Sequence, residues 1–341
     1  MNRTISGLAG VAALVLGIAS PLAVLAQGKG ETVKFQDYPG STGNMLIRVA
    51  ISKGYCDKAG IKCELQPIPS APLAAQAMMA KSIDSFFGPA VVMNGAVQKG
   101  AKMKMVVGGA VVNTNIIVAG NHLDTPNSAK GFPAFMQDFK GKKIGVTARG
   151  GATELFFNWM LLKAGMKTDD VSFVAVGAPN TAYGALVSKQ VDGLMMFEPA
   201  GALCDVLKTC KRIYTGASDA QPAEMFAMNG GGNGLVFTQE YIDKNPHVIE
   251  AVIKAVKEAE VFINAPGNFD EVMKIAQQYV KFDMPKGDEV LAVNMRAAIQ
   301  AGAYKAAINR KAVQAELDLM LAIKIIDKAS PLSDLIYDKA P

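Results

Sequence analysis

Two stretches of this chain answer each other. "KAGIKCELQPIPSAP" (58–72) is matched further on by "KAGMKTDDVSFVAVGAP" (163–179). Each reads as a helix ending at Gly, a short turn, and an alternating strand that stops at Ala-Pro. In the same order, "AMMAKSIDSFFGPA" (77–90) is matched by "ALVSKQVDGLMMFEPA" (185–200). Here a helix closes at Lys, an Asp opens a strand, and the strand ends at Pro-Ala, a good first turn for another helix. The spacing is far longer than the roughly 20–50 residues of a solenoid repeat. Two echoes in one order over α/β units therefore predict two similarly built lobes.

Strands alternating with helices imply parallel sheets covered on both faces, with ligands beyond the carboxyl ends of the strands. The division expected is a signal segment over 1–26, a first part of lobe one over 27–112, lobe two over 113–225, and a return to lobe one with C-terminal helices over 226–341. "KMKMVVGGAVVNTNIIVAG" (102–120) is read as the crossing strand that leaves lobe one. "GGGNG" (230–234) lacks the strand-before, helix-after setting of a phosphate loop, so it is read as a turn. The later segments to Ile326 carry apolar residues at helical spacing and are expected to pack on lobe one.

The chain begins "MNRTISGLAGVAALVLGIASPLAVLAQG", with Arg3 ahead of an uncharged apolar run. Val24, Leu25 and Ala26 suit a signal peptidase, so cleavage after Ala26 and a periplasmic product are expected. The competing reading is a membrane anchor of about 20 residues, which Pro21 and the small-residue site disfavour. The four cysteines, 56, 63, 204 and 210, allow three connectivities, and proximity favours Cys56–Cys63 and Cys204–Cys210. Neither pair is spaced C-x-x-C, and two isolated histidines complete no metal set, so no metal or other cofactor is expected. A formal charge of +5 over 341 residues, spread without a Lys/Arg run, argues against nucleic acid.

The turn "TARGGAT" (147–153) sits between a short strand and a helix. Gly150 and Gly151 permit close backbone approach, Thr153 can cap, and the helix start favours an anion. Arg149 adds a guanidinium able to grip an acid group in two places. In lobe one, Ser41 and Thr42 of "YPGSTG" and Ser70 of "PSAP" are candidate hydroxyl contacts. Tyr38, Phe87, Tyr183, Met196 and Phe197 could sandwich an apolar body. Glu198 would favour an amine on the ligand or pair with Arg149. No nucleophile elbow, Walker loop or Cys/His pair is present, so the expectation is a binder with no catalytic residues.

The stretches "FKGKKIGVTARGGATELFFNWMLLKAGMKTDDVSFVAVG", "ALVSKQVDGLMMFEPAG" and "TQEYIDKNPHVIEAVIKAVKEAEVFI" resemble the nitrate/sulfonate/taurine-type solute-binding proteins of ABC importers. The resemblance implies a type II periplasmic binding protein fold: two α/β lobes, two crossing segments and a cleft between them. It implies ligand contacts at Gly40, Ser41, Thr42 and Gly43, at Ser70 and Ala71, and at Gly88 and Pro89. In lobe two it implies Arg149, Gly150, Gly151, Ala152 and Thr153, then Ala178 and Asn180, then Phe197 and Glu198. The implied partners are a small-molecule ligand and an inner-membrane ABC permease, with the protein a monomer. A small organic anion, carboxylate or sulfonate and including aromatic ones, is the leading expectation for the ligand. The alternatives are an amine-bearing pyrimidine or a pyrimidine-synthase-like enzyme on the same scaffold.

Overall fold

The computed structural model describes Met1, residues 28–322, Lys324 and residues 326–341. Apart from Met1, the expected signal segment and its cleavage point lie outside the described residues. β1 (Thr32–Asp37) buries Val33 and Phe35 on the core face and leaves Thr32 and Lys34 outside, the alternation of a strand with one covered face. It feeds α1 (Met45–Ser52) and α2 (Tyr55–Lys58), then β2 (Lys62–Pro67), α3 (Ala71–Met79), β3 (Ser85–Gly88), α4 (Ala90–Val97) and β4 (Met103–Ala110).

The second run is β5 (Asn115–Gly120), β6 (Lys143–Val146), α5 (Ala152–Lys163), β7 (Ser172–Ala175), α6 (Pro179–Val187), β8 (Gly193–Phe197), α7 (Ala200–Leu207) and β9 (Cys210–Thr215). The return comprises α8 (Ala223–Phe226), β10 (Asn233–Thr238), α9 (Gln239–Lys244), α10 (Pro246–Asn264), α11 (Phe269–Tyr279), α12 (Gly287–Gln300), α13 (Arg310–Ala322) and α14 (Leu332–Leu335).

Among the described residues the strands form two five-stranded sheets, ordered β2-β1-β3-β10-β4 and β7-β6-β8-β5-β9. β1 is parallel to β2 and β3, and β6 is parallel to β7 and β8. The strand that arrives after each crossing, β10 or β5, runs antiparallel to both its neighbours. The chain thus leaves each sheet from an edge strand and enters the other beside its parallel core. The two orders are the same, which is the three-dimensional form of the echo in the sequence.

Local chemistry places the helix starts. The Pro-Ala pairs at 89–90 and 199–200 open α4 and α7, as the sequence reading expects. The Ala-Pro pairs at 71–72 and 178–179 also open helices, α3 and α6, rather than closing strands, because Pro fits the first helical turn, where its missing N–H costs nothing. Both proximal disulfides form, Cys56–Cys63 from α2 to β2 and Cys204–Cys210 from α7 to β9.

Two expectations are corrected. The stretch 102–120 is two strands, not one: β4 and β5 are separated by residues 111–114, where Asn113 turns its side chain to the Met225 carbonyl and to Asn115. Gly108 and Gly109 lie inside β4, where an added Cβ would meet the Lys305 carbonyl or the Phe87 ring. The C-terminal helices do not all return to lobe one. α10 packs on α1 and α2, but α12 packs on α7, and α13 touches α4 together with α5 and α8. The reason is in their side chains: Val313 and Leu317 of α13 join the first core, whereas Leu319 and Met320 join the second.

Candidate ligand cleft between the lobes

The turn after β1 is held from within. Arg48 on α1 is fully buried and faces Asp37 at 2.7 Å, and it donates to the carbonyls of Tyr38 and Ser41. Burial pushes the Asp37 carboxyl above its ordinary value despite that neighbour, so the pair is maintained against desolvation. The hydroxyls of the turn are already engaged. Ser41 Oγ accepts the Gly43 N–H at 3.0 Å, and Thr42 Oγ1 donates to Asn294 Oδ1 at 2.6 Å. Tyr304 donates to the Thr42 carbonyl at 3.1 Å. The turn is therefore bonded to α12 and to the segment after it.

This turn forms one wall of a cavity of about 120 Å³. Tyr38, Phe87, Ile116 and Phe197 supply apolar faces, and Ala297, Ala298, Ala301 and Ala303 supply a smooth wall from α12 and the residues after it. Asn113, Asn233 and Asn294 supply amides, with Thr114 and Thr215 beside them. A smaller compartment of about 50 Å³ adjoins it and shares Tyr38, Val112, Asn113, Thr114, Phe197 and Asn233. The first residues of α3 and α5, together with Pro89 ahead of α4, converge on this smaller space, and so does Glu316 of α13.

The lobes touch across the cleft. Tyr38 meets Phe197 edge to face at 5.4 Å and Phe87 at 6.3 Å. Gly40, at φ +72°, lies so close to Asn180 that an added Cβ would stand 3.1 Å from its Cγ. Glu198 lines the larger cavity, with Oε1 2.5 Å from Arg212 Nη1 and Oε2 accepting the Ala202 N–H. Burial works against the Arg212 charge, but Glu198 and Asp205 outweigh it and hold its pKa above normal. Glu198 thus pairs with Arg212 and not with Arg149.

Of the residues singled out from sequence, Tyr38, Ser41, Thr42, Gly43, Phe87, Phe197 and Glu198 line the larger cavity. Ala71, Pro89, Ala152 and Thr153 line the smaller one. Others lie elsewhere. Tyr183 packs in the second lobe and bonds Thr209, and Met196 is fully buried there. Ser70 is buried with its hydroxyl unpartnered, and Gly88 is wedged against Phe86 and Ala71. Ala178 precedes α6 without lining either space, and Asn180 reaches the cleft only through its contact with Gly40.

The "TARGGAT" turn answers differently from its reading. Arg149 makes two bonds to Glu154, at 2.8 and 3.1 Å, lies over Phe173, and keeps a side chain 63% exposed. The Gly150 N–H also goes to Glu154, so the turn supplies its own anion. Neither Arg149, Gly150 nor Gly151 lines a cleft cavity. Thr153 does not cap its helix. Its hydroxyl accepts the Thr147 N–H at 3.1 Å and closes the turn from inside.

Sequence reasoning missed the crossing residues 112–114, Asn233, and all of α12 and α13. A signal existed for two of them. Asn294 and Glu316 are polar residues at helical spacing within the apolar stripes Val290, Leu291, Met295 and Ala312, Val313, Leu317. Among the described residues no Lys or Arg lines either compartment, and no group of three or more His, Cys, Asp or Glu is placed to hold a metal ion.

Two lobes of like sheet order, two crossings and a cleft between them define a type II periplasmic binding protein fold. The sequence profile of the NMT1-like family matches residues 40–277, and the chain belongs to that family. A Brucella abortus protein with a provisional binding-protein name is 28% identical over 243 residues, 71% of this chain and 69% of that one. The ligand-binding component of an ABC-type import system from Staphylococcus aureus superposes with a TM-score of 0.68 at 17% identity, covering 91% of this chain and 99% of that one. The alkanesulfonate-binding protein SsuA of Xanthomonas axonopodis, bound to MOPS, also reaches 0.68, at 15% identity over 89% and 96% of the two chains.

Proposed function

We propose that the protein is the extracytoplasmic solute-binding component of an ABC importer, carrying a small planar solute with a hydrogen-bonding edge, of the amine-bearing pyrimidine kind. The observation that carries this reading is the composition of the cleft: three amides and several hydroxyls around aromatic faces, two carboxyl groups, and no lining cation among the described residues. Amides both donate and accept, which suits a ring bearing an amine beside a ring nitrogen. Tyr38, Phe87 and Phe197 would hold the ring faces. Solute bridging the lobes would favour the closed arrangement and present it to an inner-membrane permease. The protein would act in the periplasm as a monomer, after cleavage behind Ala26.

A second reading has its own support. The first residues of α3 and α5, Ala71, Ala152 and Thr153 among them, line the smaller compartment, and helix starts favour anions. A small organic acid could place its acid group there and its body in the larger cavity, with no help from Arg149. A thermal-shift screen separates the two. Ligand at a hundred times its dissociation constant adds about 2.7 kcal/mol to stability. Hits confined to neutral or amine-bearing heteroaromatics support the first reading, and hits confined to carboxylates or sulfonates replace it with the second. Recovery of the solute unaltered after incubation distinguishes a binder from an enzyme on this scaffold.

A further inference from the structure

Glu316 lies midway along α13 with 1% of its surface exposed, yet it lines the smaller compartment of the cleft. Its Oε1 accepts the Val91 N–H from the first turn of α4 at 2.7 Å. Its Oε2 has no hydrogen-bond partner among the described residues. In so deeply buried a side chain, one oxygen is fixed by the backbone and the other is left to the compartment that the residue lines. A polar group of the solute would complete it.

No charge nearby compensates an ionised Glu316. α4 carries no charged residue. On α5, Glu154 is bonded to Arg149, and Lys163 pairs with Glu224 of α8. Asp334 of α14, and Arg310, Lys311 and Asp318 of α13 itself, are exposed. Tyr38 is the other titratable side chain of the smaller compartment, and burial pushes its hydroxyl well up, so it is neutral. Burial likewise pushes the Glu316 carboxyl up to about 8, with the Val91 N–H pulling partly back. At neutral pH the carboxyl keeps its proton, and with Oε1 accepting from Val91 the O–H falls on Oε2.

We propose that Glu316 is a solute contact whose Oε2–H donates, within the smaller compartment, to an acceptor atom of the bound molecule, a ring nitrogen or an acid oxygen. The proposal rests on the cleft being the solute site. It adds that binding is coupled to one proton, because an ionised Glu316 would face the acceptor with lone pairs and a buried charge. Solute affinity therefore falls as the pH rises through the titration of Glu316.

The test measures the affinity of 4-aminopyrimidine, benzoate and methanesulfonate by calorimetry from about pH 7 to about pH 9, where none of them changes charge. For whichever probe binds, the wild type should weaken about tenfold across that window, as one linked proton that titrates near its middle requires. Glu316→Gln keeps an acceptor for Val91 and a donor for the solute, and should bind with no pH dependence. Glu316→Leu should bind more weakly than wild type at pH 7. Wild type and Glu316→Gln sharing one pH profile overturns the role of Glu316 and leaves the cleft reading intact. Failure of all three probes to bind the wild type counts against the cleft reading itself and takes this inference with it.

Discussion

The first strand-to-helix turn of each lobe is held by an arginine–carboxylate pair, but the two pairs sit in opposite surroundings. In the first lobe the arginine, Arg48, comes from the helix and the acid, Asp37, from the strand end, and the guanidinium is completely buried. It also takes the carbonyls of Tyr38 and Ser41, so one side chain fixes the path of the whole turn. In the second lobe the arginine, Arg149, stands in the turn and the acid, Glu154, on the helix, with the arginine side chain 63% exposed. The inner work there falls to Thr153 and Thr147. Like positions in like lobes are thus held by different means, and only the first arginine bonds the carbonyls of a turn that lines the cleft.

That contrast can be broken by mutation. Arg48→Met should cost about 3–5 kcal/mol in urea unfolding, because it leaves Asp37 and two turn carbonyls buried without their partner. A loss under about 1 kcal/mol would mean the turn keeps its shape unaided. The disulfides should not distinguish the lobes. Their sequence separations, 7 and 6, are nearly equal, so replacing either Cys56 and Cys63 or Cys204 and Cys210 by Ser should cost about 2–3 kcal/mol. Markedly unequal losses would show that one lobe relies on its staple to hold native packing. Smaller again, Thr42→Val orphans the buried Asn294 oxygen and Thr153→Val orphans the Thr147 N–H, so each should cost about 1–2 kcal/mol. A negligible effect of one but not the other would reveal which turn has a second way to satisfy its polar atoms.

The doubled layout was legible because helix ends, Asp-led strands and Pro-Ala starts are local signals, and the chain repeats them in order. The disulfides were legible because short separations leave little choice of geometry. The cleft was legible only in part. Strand-end turns such as 38–43 announce themselves through Gly, Ser and Thr, whereas α12 and α13 reach the cleft through tertiary packing that periodicity does not encode. Arg149 drew attention because an arginine among glycines is as well suited to a carboxylate on the helix that follows as to a ligand. Glu154, five residues on, was the competing acid, and proximity along the chain decided the outcome. Arg48 went unnoticed because on a helix it looks like any surface charge, and only the burial of its neighbours Met45, Val49 and Ala50 marks the face as inner.

Arg149→Ala is the mildest and most discriminating change. The side chain is mostly in solvent, so its pair with Glu154 belongs to the class worth about 0.2–1 kcal/mol. Glu154 keeps its bond from the Gly150 N–H, and the Thr153–Thr147 bond that closes the turn is untouched. Stability should therefore drop by less than about 1 kcal/mol, and more of that loss should vanish at high salt, where exposed charges are screened. Affinity for any cleft ligand should stay the same, since the guanidinium lines neither compartment. A loss of about 1.5–3 kcal/mol in binding, the worth of a hydrogen bond to a charged group, would mean that Arg149 leaves Glu154 and swings into the cleft when solute arrives. In that event the second lobe's turn would be the mobile one, and the organic-acid reading would regain its clamp.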